Sequence, residues 1–154
     1  MTGRRTTAER GGEGPSSLTP SAANAAQIAA MAVPFVEQNY GLKLDYGVGS
    51  LAELDGVIDD LRRDQRFEVL QPVLFSMGCY LGEVLVRHAG GRWRQAEDLG
   101  AGSSALSPIA IVMPDGRGCN PVGRVYRRFQ KGREEGLALF FRSVTRSRPG
   151  APSV

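Results

Sequence analysis

The chain has 154 residues, 42% of them hydrophobic, which is enough for one hydrophobic core and too few for two ordinary domains. Its formal net charge of +3 at pH 7 is too low to indicate nucleic-acid binding by composition alone. The longest apolar stretch, residues 69–86, contains Gln71, Pro72 and Glu83, so it predicts a core helix and no membrane span. Two cysteines without a recognisable secretion signal predict a cytoplasmic protein with reduced thiols, and leave open whether Cys79 and Cys119 lie close together.

The two ends of the chain differ in composition from the middle. Residues 1–20 contain Leu18 as their only large apolar side chain after Met1, and residues 146–154 are mainly Arg, Ser, Pro and Gly. Because such segments have little to bury, we expect disordered tails on either side of a single domain at residues 21–145. Of the 19 basic residues 17 are arginine, which indicates a GC-rich bacterial source.

The first structured region is an alanine-rich pattern over residues 21–40 that predicts a helix. Gly41 is expected to end this helix in the left-handed conformation, and Pro34 is expected to kink or split it.

Two further elements are expected before the centre of the chain. Alternating apolar and polar residues at 42–46 predict a short strand or an extended arm. A capping box at residues 50–53 predicts the start of a second helix. This helix carries Asp55 and Asp59 one turn apart, which we interpret as a solvated face with pairing such as Asp59 to Arg63, a cation site being the alternative.

An apolar run over residues 67–88 predicts a long central helix that is covered on two faces. Pro72 fits this helix only if its true start lies near Gln71. Gly78 and Gly82, one turn apart, would let neighbouring elements approach the helix backbone. Between the two apolar faces lies a narrow polar seam formed by Ser76, Tyr80, Glu83 and Arg87.

The second half of the chain predicts two strands and two helices. Residues 90–91 are glycines that end the central helix, and a strand with an inward Trp93 follows, then a loop at 95–107. Residues 108–113 predict an apolar strand, and Asn120 before Pro121 predicts a helix start, with a last helix at 134–145. The expected fold class is α+β, a mainly helical single domain around a long central helix with a small antiparallel sheet or hairpin.

Two short patterns carry a family resemblance. Residues 78–83 read Gly-x-Tyr-Leu-Gly-Glu, and residues 90–93 read Gly-Gly-x-Trp. Together with the segments around residues 40–55 and 120–121, they resemble a family of small actinobacterial proteins of unknown function. The resemblance spans roughly residues 22–141 and implies a domain type, with no activity, cofactor or site residue.

Signals for catalysis and metal binding are weak. The single histidine, His88, falls on the apolar stripe of the central helix, where a packed, hydrogen-bonded histidine is expected and a general base is not. The serines at 103–104 lack the flanking elements of a phosphate loop. One histidine and two cysteines are too few for a structural zinc site. We therefore assign no catalytic residue, no metal and no cofactor, and leave open whether the protein is an enzyme.

The polar seam is the first candidate site. A carboxylate within a mostly buried helix must be compensated, and Arg87, four residues after Glu83, is the expected partner, with Tyr80 hydrogen-bonding nearby. The alternative is a small-molecule or hydrolytic site where the seam meets the start of the next strand. Its candidate ligand-binding residues are Tyr80, Glu83, Arg87, Arg92 and Trp93.

The helix at residues 121–131 is the second candidate site. One side of it presents Arg124, Arg127, Arg128 and Lys131, opposite its apolar face. No acid stands four residues before any of the three arginines, so we expect this basic surface to be free for phosphates or an acidic partner. A solvated face without function is the alternative.

The expected function is that of a non-enzymatic, cytoplasmic protein-interaction or accessory domain, of the immunity type for example, with an unknown protein partner and no membrane association. Nucleic-acid binding through the basic helix 121–131 and a small-molecule site at the 76/80/83/87 seam are the alternatives. The sequence does not determine the partner, the substrate or the oligomeric state.

Overall fold

The computed structural model describes residues 18–99 and 107–146. Its α-helices are α1 (Ala25–Ala30), α2 (Ala32–Tyr40), α3 (Ser50–Asp64), α4 (Phe67–Ala89), α5 (Pro121–Lys131) and α6 (Leu137–Thr145). Its strands are β1 (Arg92–Gln95), β2 (Ile109–Val112) and β3 (Gly118–Cys119). Short 3₁₀ turns lie at Ala22–Asn24, Ala96–Leu99 and Arg133–Glu135. The fold is α+β and mainly helical, as predicted.

The three strands form one small antiparallel sheet in the order β1, β2, β3. Trp93 of β1 pairs with Ile111 of β2, and Ile111 pairs in turn with Cys119 of β3. β2 is apolar and mostly buried, because it lies between the other two strands and packs on the helical layer.

The long helix α4 lies at the centre of the domain, and two glycines let its neighbours come close. A Cβ atom on Gly78 would lie 2.5 Å from the Cα atom of Val122 in α5, and one on Gly82 would lie 2.2 Å from the Trp93 ring. The predicted close approach at these two glycines is therefore confirmed. α5 crosses α4 at Gly78, and the indole of Trp93 covers Gly82.

Three helix ends lie where the sequence predicted them. Gly41 and Gly90 adopt left-handed conformations after α2 and α4, with φ of 70° and 77°. The Asn120 side chain accepts a hydrogen bond from the amide of Gly123 at 2.9 Å and so caps α5.

Other local predictions were wrong or need refinement. The first helix is divided at Met31, three residues before Pro34, which lies in the first turn of α2. α4 begins at Phe67, so Pro72 lies inside the helix. The capping box does not form: Gly49 precedes α3, and the Ser50 hydroxyl donates to the carbonyl of Gly47.

Both expected tails lie largely outside the described residues, which exclude 1–17 and 147–154, and so do residues 100–106 of the expected loop. Leu18, assigned to the N-terminal tail from composition, packs against the core.

Candidate functional site

Tyr80 of the polar seam is completely buried. It joins α4 to residues 42–46, which form no strand and are called the arm here; the arm precedes α3. Its hydroxyl accepts a hydrogen bond from the amide of Tyr46 at 2.7 Å and lies 2.7 Å from the Ser50 hydroxyl. Because the Ser50 proton is directed to the Gly47 carbonyl, the Tyr80 hydroxyl donates to Ser50. Burial raises the pKa of Tyr80 above its ordinary value, so the hydroxyl keeps the proton that this network uses.

Glu83 is buried and both its carboxylate oxygens are engaged. Oε2 accepts a hydrogen bond from the Trp93 indole at 2.9 Å, and Oε1 lies 3.6 Å from Nε of Arg87. The Arg87 guanidinium lies 3.6 Å above the ring of Tyr46, which itself stacks on Tyr80 with ring centroids 4.6 Å apart. The structure thus brings together Tyr80, Glu83, Arg87 and Trp93, with Tyr46 as the link.

Tyr46 was not among the predicted site residues, yet it is the centre of this cluster. It has a left-handed backbone with φ of 64°, unusual for a residue with a side chain. Its amide bonds to Tyr80, and its carbonyl accepts a hydrogen bond from Nε2 of His88 at 2.9 Å. The hydrogen bond expected for His88 is present, but the side chain is exposed, so the prediction that it packs on the apolar stripe was wrong.

Arg92, a candidate ligand-binding residue, and Ser76 of the polar seam do not extend the cluster. Arg92 is exposed on β1 and precedes Trp93, so the two side chains point to opposite faces of the sheet. Ser76 is buried and donates its hydroxyl proton to the Val73 carbonyl in the same helix. The Tyr80 hydroxyl and the Glu83 carboxylate therefore have their partners in neighbouring residues, and these contacts hold the arm against α4.

The basic surface predicted on α5 is not free. The Arg128 side chain is 3% exposed and forms ion pairs with Asp55 at 2.9 Å and Asp59 at 2.8 Å. Arg124 and Arg127 both pair with Glu135, which follows α5 in the next 3₁₀ turn. The expectation that these arginines remain unpaired is wrong, since their acidic partners lie in other elements. Lys131 is exposed at the end of α5.

Asp55 and Asp59 have a structural role that their spacing did not indicate. The Asp55 carboxylate accepts hydrogen bonds from the Leu137 and Ala138 amides, so it caps α6 from another helix as well as binding Arg128. The hydrogen bond from Arg128 holds the pKa of Asp59 below its ordinary value. Arg63, expected to pair with Asp59, pairs with Asp60 instead.

An open apolar groove of about 550 Å³ lies between the first two helices and the N-terminal half of α4. We call it the apolar groove. Its lining includes no charged side chain, and the polar side chains in it are those of Gln71, Ser76 and Tyr126. The remaining lining residues are Leu18, Pro20, Ile28, Met31, Phe35, Pro72, Val73, Phe75 and Pro108.

A second depression of about 360 Å³ adjoins the apolar groove, because Phe35 lines both. We call it the acidic pocket, since Asp60 and Asp64 are its charged lining residues. Val69, which is 57% exposed, forms part of its wall together with Asn39, Tyr40, Leu61, Gln65 and Leu70. The Tyr40 hydroxyl donates to Asp60 at 3.0 Å. Burial, this hydrogen bond and the charges of Asp60 and Asp64 raise the pKa of Tyr40 to about 12.

Sequence reasoning missed the groove and the pocket because they are assembled from distant segments. One signal was present: residues 69–75 are apolar around most of the helix, and a domain of this size cannot cover every side of such a helix. The prediction that α4 is covered on two faces therefore holds from Ser76 onwards, whereas Gln71 and Pro72 in its first half are exposed.

Cysteine and metal chemistry have little support within residues 18–99 and 107–146. Both cysteines are free thiols, and burial raises the pKa of Cys79 and of Cys119 to about 12. In the same residues, no group of three or more histidine, cysteine, aspartate or glutamate side chains is placed to hold a metal ion.

One described helix, α4, is long and apolar enough to cross a membrane by length and composition, but two thirds of its most apolar window is buried inside the domain. Core helices of globular domains meet the same criterion, so this is weak evidence for a span.

Comparisons with protein-family models, with curated proteins and with solved structures find no match for this chain. The resemblance to an actinobacterial family therefore stays a hypothesis.

Proposed function

We propose that this chain is a non-enzymatic, cytoplasmic protein-interaction domain that binds its partner in the apolar groove. The observation that supports this proposal is the groove itself: an open, uncharged surface walled by Met31, Phe35, Pro72, Val73 and Phe75. Contiguous apolar surface that a domain leaves uncovered is typical of binding sites, because removing this surface from water lowers the free energy.

The state of the ionisable side chains supports binding over catalysis. Glu83 is held by Trp93 and Arg87, His88 donates to a backbone carbonyl, and Arg128 is buried between two aspartates. A general base or nucleophile needs a free site for a proton or an electrophile within hydrogen-bonding distance. Side chains whose polar atoms already form hydrogen bonds and ion pairs with other residues are poor candidates for either role.

The pairing on α5 weakens the nucleic-acid alternative. Nucleic-acid binding depends on protein cations that neutralise phosphates and release the counterions bound there. Arg124 and Arg128 are already neutralised by acids of the same chain. Arg127 shares Glu135, which leaves Lys131 as the cation of this face without an ion pair among the described residues.

The test compares two variants that each place a glutamate on an exposed apolar position. Pro72→Glu puts a charge on the groove wall and returns an amide to the interior of α4, so it should not disturb the helix. Leu139→Glu makes a similar change on α6, at a side chain that is 49% exposed and outside the groove.

Proteins captured by the wild type from the source organism would be identified, purified and titrated by calorimetry against all three forms. We expect a partner that loses at least about tenfold in affinity on Pro72→Glu, because a charge must be buried without a partner, and that is unaffected by Leu139→Glu. Equal binding of the purified partner to all three forms, or capture that disappears on nuclease treatment, would overturn the proposal.

A further inference from the structure

The apolar groove and the acidic pocket form one continuous surface along α4. The pocket includes Val69 and Leu70, whereas the groove begins at Gln71 and extends to Ser76. Phe35 borders both. At a rise of 1.5 Å per residue, the stretch of α4 from Val69 to Ser76 is on the order of 10 Å long, which is about two helical turns.

The backbone around the groove favours a helical occupant over an extended one. An extended peptide that binds by strand addition needs a sheet edge with unpaired amides and carbonyls. The long walls of the groove belong to helices, whose backbone groups bond internally, and Pro72 has no amide to donate. A helical segment satisfies its own backbone and needs only apolar side chains at i, i+3 or i+4, and i+7.

Charge distinguishes the two ends of this surface. The groove has no charged lining residue, and the pocket has Asp60 and Asp64. Asp60 already accepts from Tyr40 and pairs with Arg63, but Asp64 forms no ion pair with any residue in the described ranges. Burial is the main cause of the raised pKa of Tyr40, and the hydrogen bond to Asp60 and the charges of Asp60 and Asp64 raise this pKa further. Asp64 is exposed, so a basic side chain placed at this end would meet a solvated carboxylate without a protein cation, an ion pair worth up to about 1 kcal/mol.

We infer that the partner segment is an amphipathic helix whose apolar face fills the groove and whose basic residue, at one end, lies in the acidic pocket against Asp64. This inference rests on the proposed function and names the chemistry of the partner at that same surface. An apolar helix that ends in an acidic residue would meet Asp60 and Asp64 with like charge.

The probes are three fluorescein-labelled, alanine-based helical peptides. The arginine peptide carries leucines at i, i+3 and i+4 and an arginine at i+7, so these side chains span about 10 Å, which matches the length of this surface along α4. The glutamate peptide has glutamate at that position, and the scrambled peptide has the composition of the arginine peptide with its leucines on different faces. Each peptide is titrated with the full chain and followed by fluorescence anisotropy at low and at high salt.

We expect the arginine peptide to bind about fivefold more tightly than the glutamate peptide, and the scrambled peptide to bind more weakly than both. Asp64→Asn should reduce the difference in affinity between the arginine peptide and the glutamate peptide to about twofold or less. Added salt should also reduce this difference. The matched control is Glu53→Gln, because Glu53 is an exposed acid on the same helix, outside the pocket. It should leave the difference unchanged.

The outcomes separate this inference from the proposed function. If the glutamate peptide binds as tightly as the arginine peptide, and Pro72→Glu abolishes the binding of both, the groove binds helices but the charge assignment is overturned. If the arginine peptide binds equally well to Pro72→Glu, it binds elsewhere and the inference is overturned. Absence of binding by all three peptides at millimolar concentration also overturns it, whereas the proposed function is decided by the titration of its captured partner.

Discussion

Replacement of Arg128 by leucine should destabilise the domain by about 3 kcal/mol. The side chain is 3% exposed, and its guanidinium donates to the Asp55 carboxylate, to the Asp59 carboxylate and to the Asp55 carbonyl. Leucine would leave two carboxylates, 19% and 23% exposed, without their main cation. Breaking a buried pair costs about 3 to 5 kcal/mol, and the lower end applies because Asp55 keeps the Leu137 and Ala138 amides.

This loss is measurable because a domain of this size is stabilised by only about 5 to 15 kcal/mol. Urea unfolding of the wild type and of Arg128→Leu, followed by circular dichroism, gives the difference in free energy of unfolding. The control is Arg127→Leu on the same helix, whose side chain is 36% exposed and 3.4 Å from Glu135, and which should cost less than about 1 kcal/mol. A difference below about 1 kcal/mol for Arg128→Leu would show that the burial of this side chain does not contribute to stability and would refute the reasoning.

Three further predictions concern the core, the pH dependence and the thiols. Gly82→Ala should destabilise the domain, because its Cβ would lie 2.2 Å from the Trp93 ring, whereas Gly56→Ala, with no atom within 4 Å, should stabilise α3 by up to about 1 kcal/mol; thermal unfolding compares the two. Since Arg128 lowers the pKa of Asp59 in the folded state, the stability that this ion pair contributes should be complete above the ordinary aspartate pKa of about 4 and lost as the pH falls through the lower folded value. Asp59→Asn should therefore reduce the loss of unfolding free energy below about pH 4, as measured by urea unfolding at several pH values. Cys79 and Cys119, with pKa values raised to about 12, should react slowly with iodoacetamide at neutral pH until denaturant is added, Cys79 more slowly than the half-buried Cys119, and fast labelling of Cys79 measured by mass spectrometry would contradict its burial.

The fold could be anticipated where a local rule decides the structure. Gly41 and Gly90 end their helices because glycine tolerates the left-handed conformation, and Asn120 caps α5 through its own side chain. The close approach of neighbouring elements to α4 at Gly78 and Gly82 could also be predicted, because two glycines one turn apart on a buried helix leave room for a neighbour.

The functional surfaces could not be read in this way because they depend on contacts between distant segments. Arg128 appeared free since no acid stands four residues before it, but its partner Asp55 lies 73 residues earlier in the chain. On the helical wheel, Arg128 lies on the side of the basic face nearest Val125, and the sequence alone does not show that α3 packs there. The acidic pocket has the same origin, because α2, α3 and α4 each contribute to its wall.

The Asp55 network also has a consequence for how the chain is made. The arginine that neutralises Asp55 follows it by 73 residues, and the amides that it caps follow by 82 and 83. At an elongation rate of about 5 to 20 residues per second, the ribosome needs about 4 to 15 s to add the 73 residues that lead from Asp55 to Arg128. During that interval the Asp55 carboxylate of α3 lacks the guanidinium and the amides that bind it in the folded domain. The Asp55 network can therefore close only after α5 and the start of α6 have been synthesised.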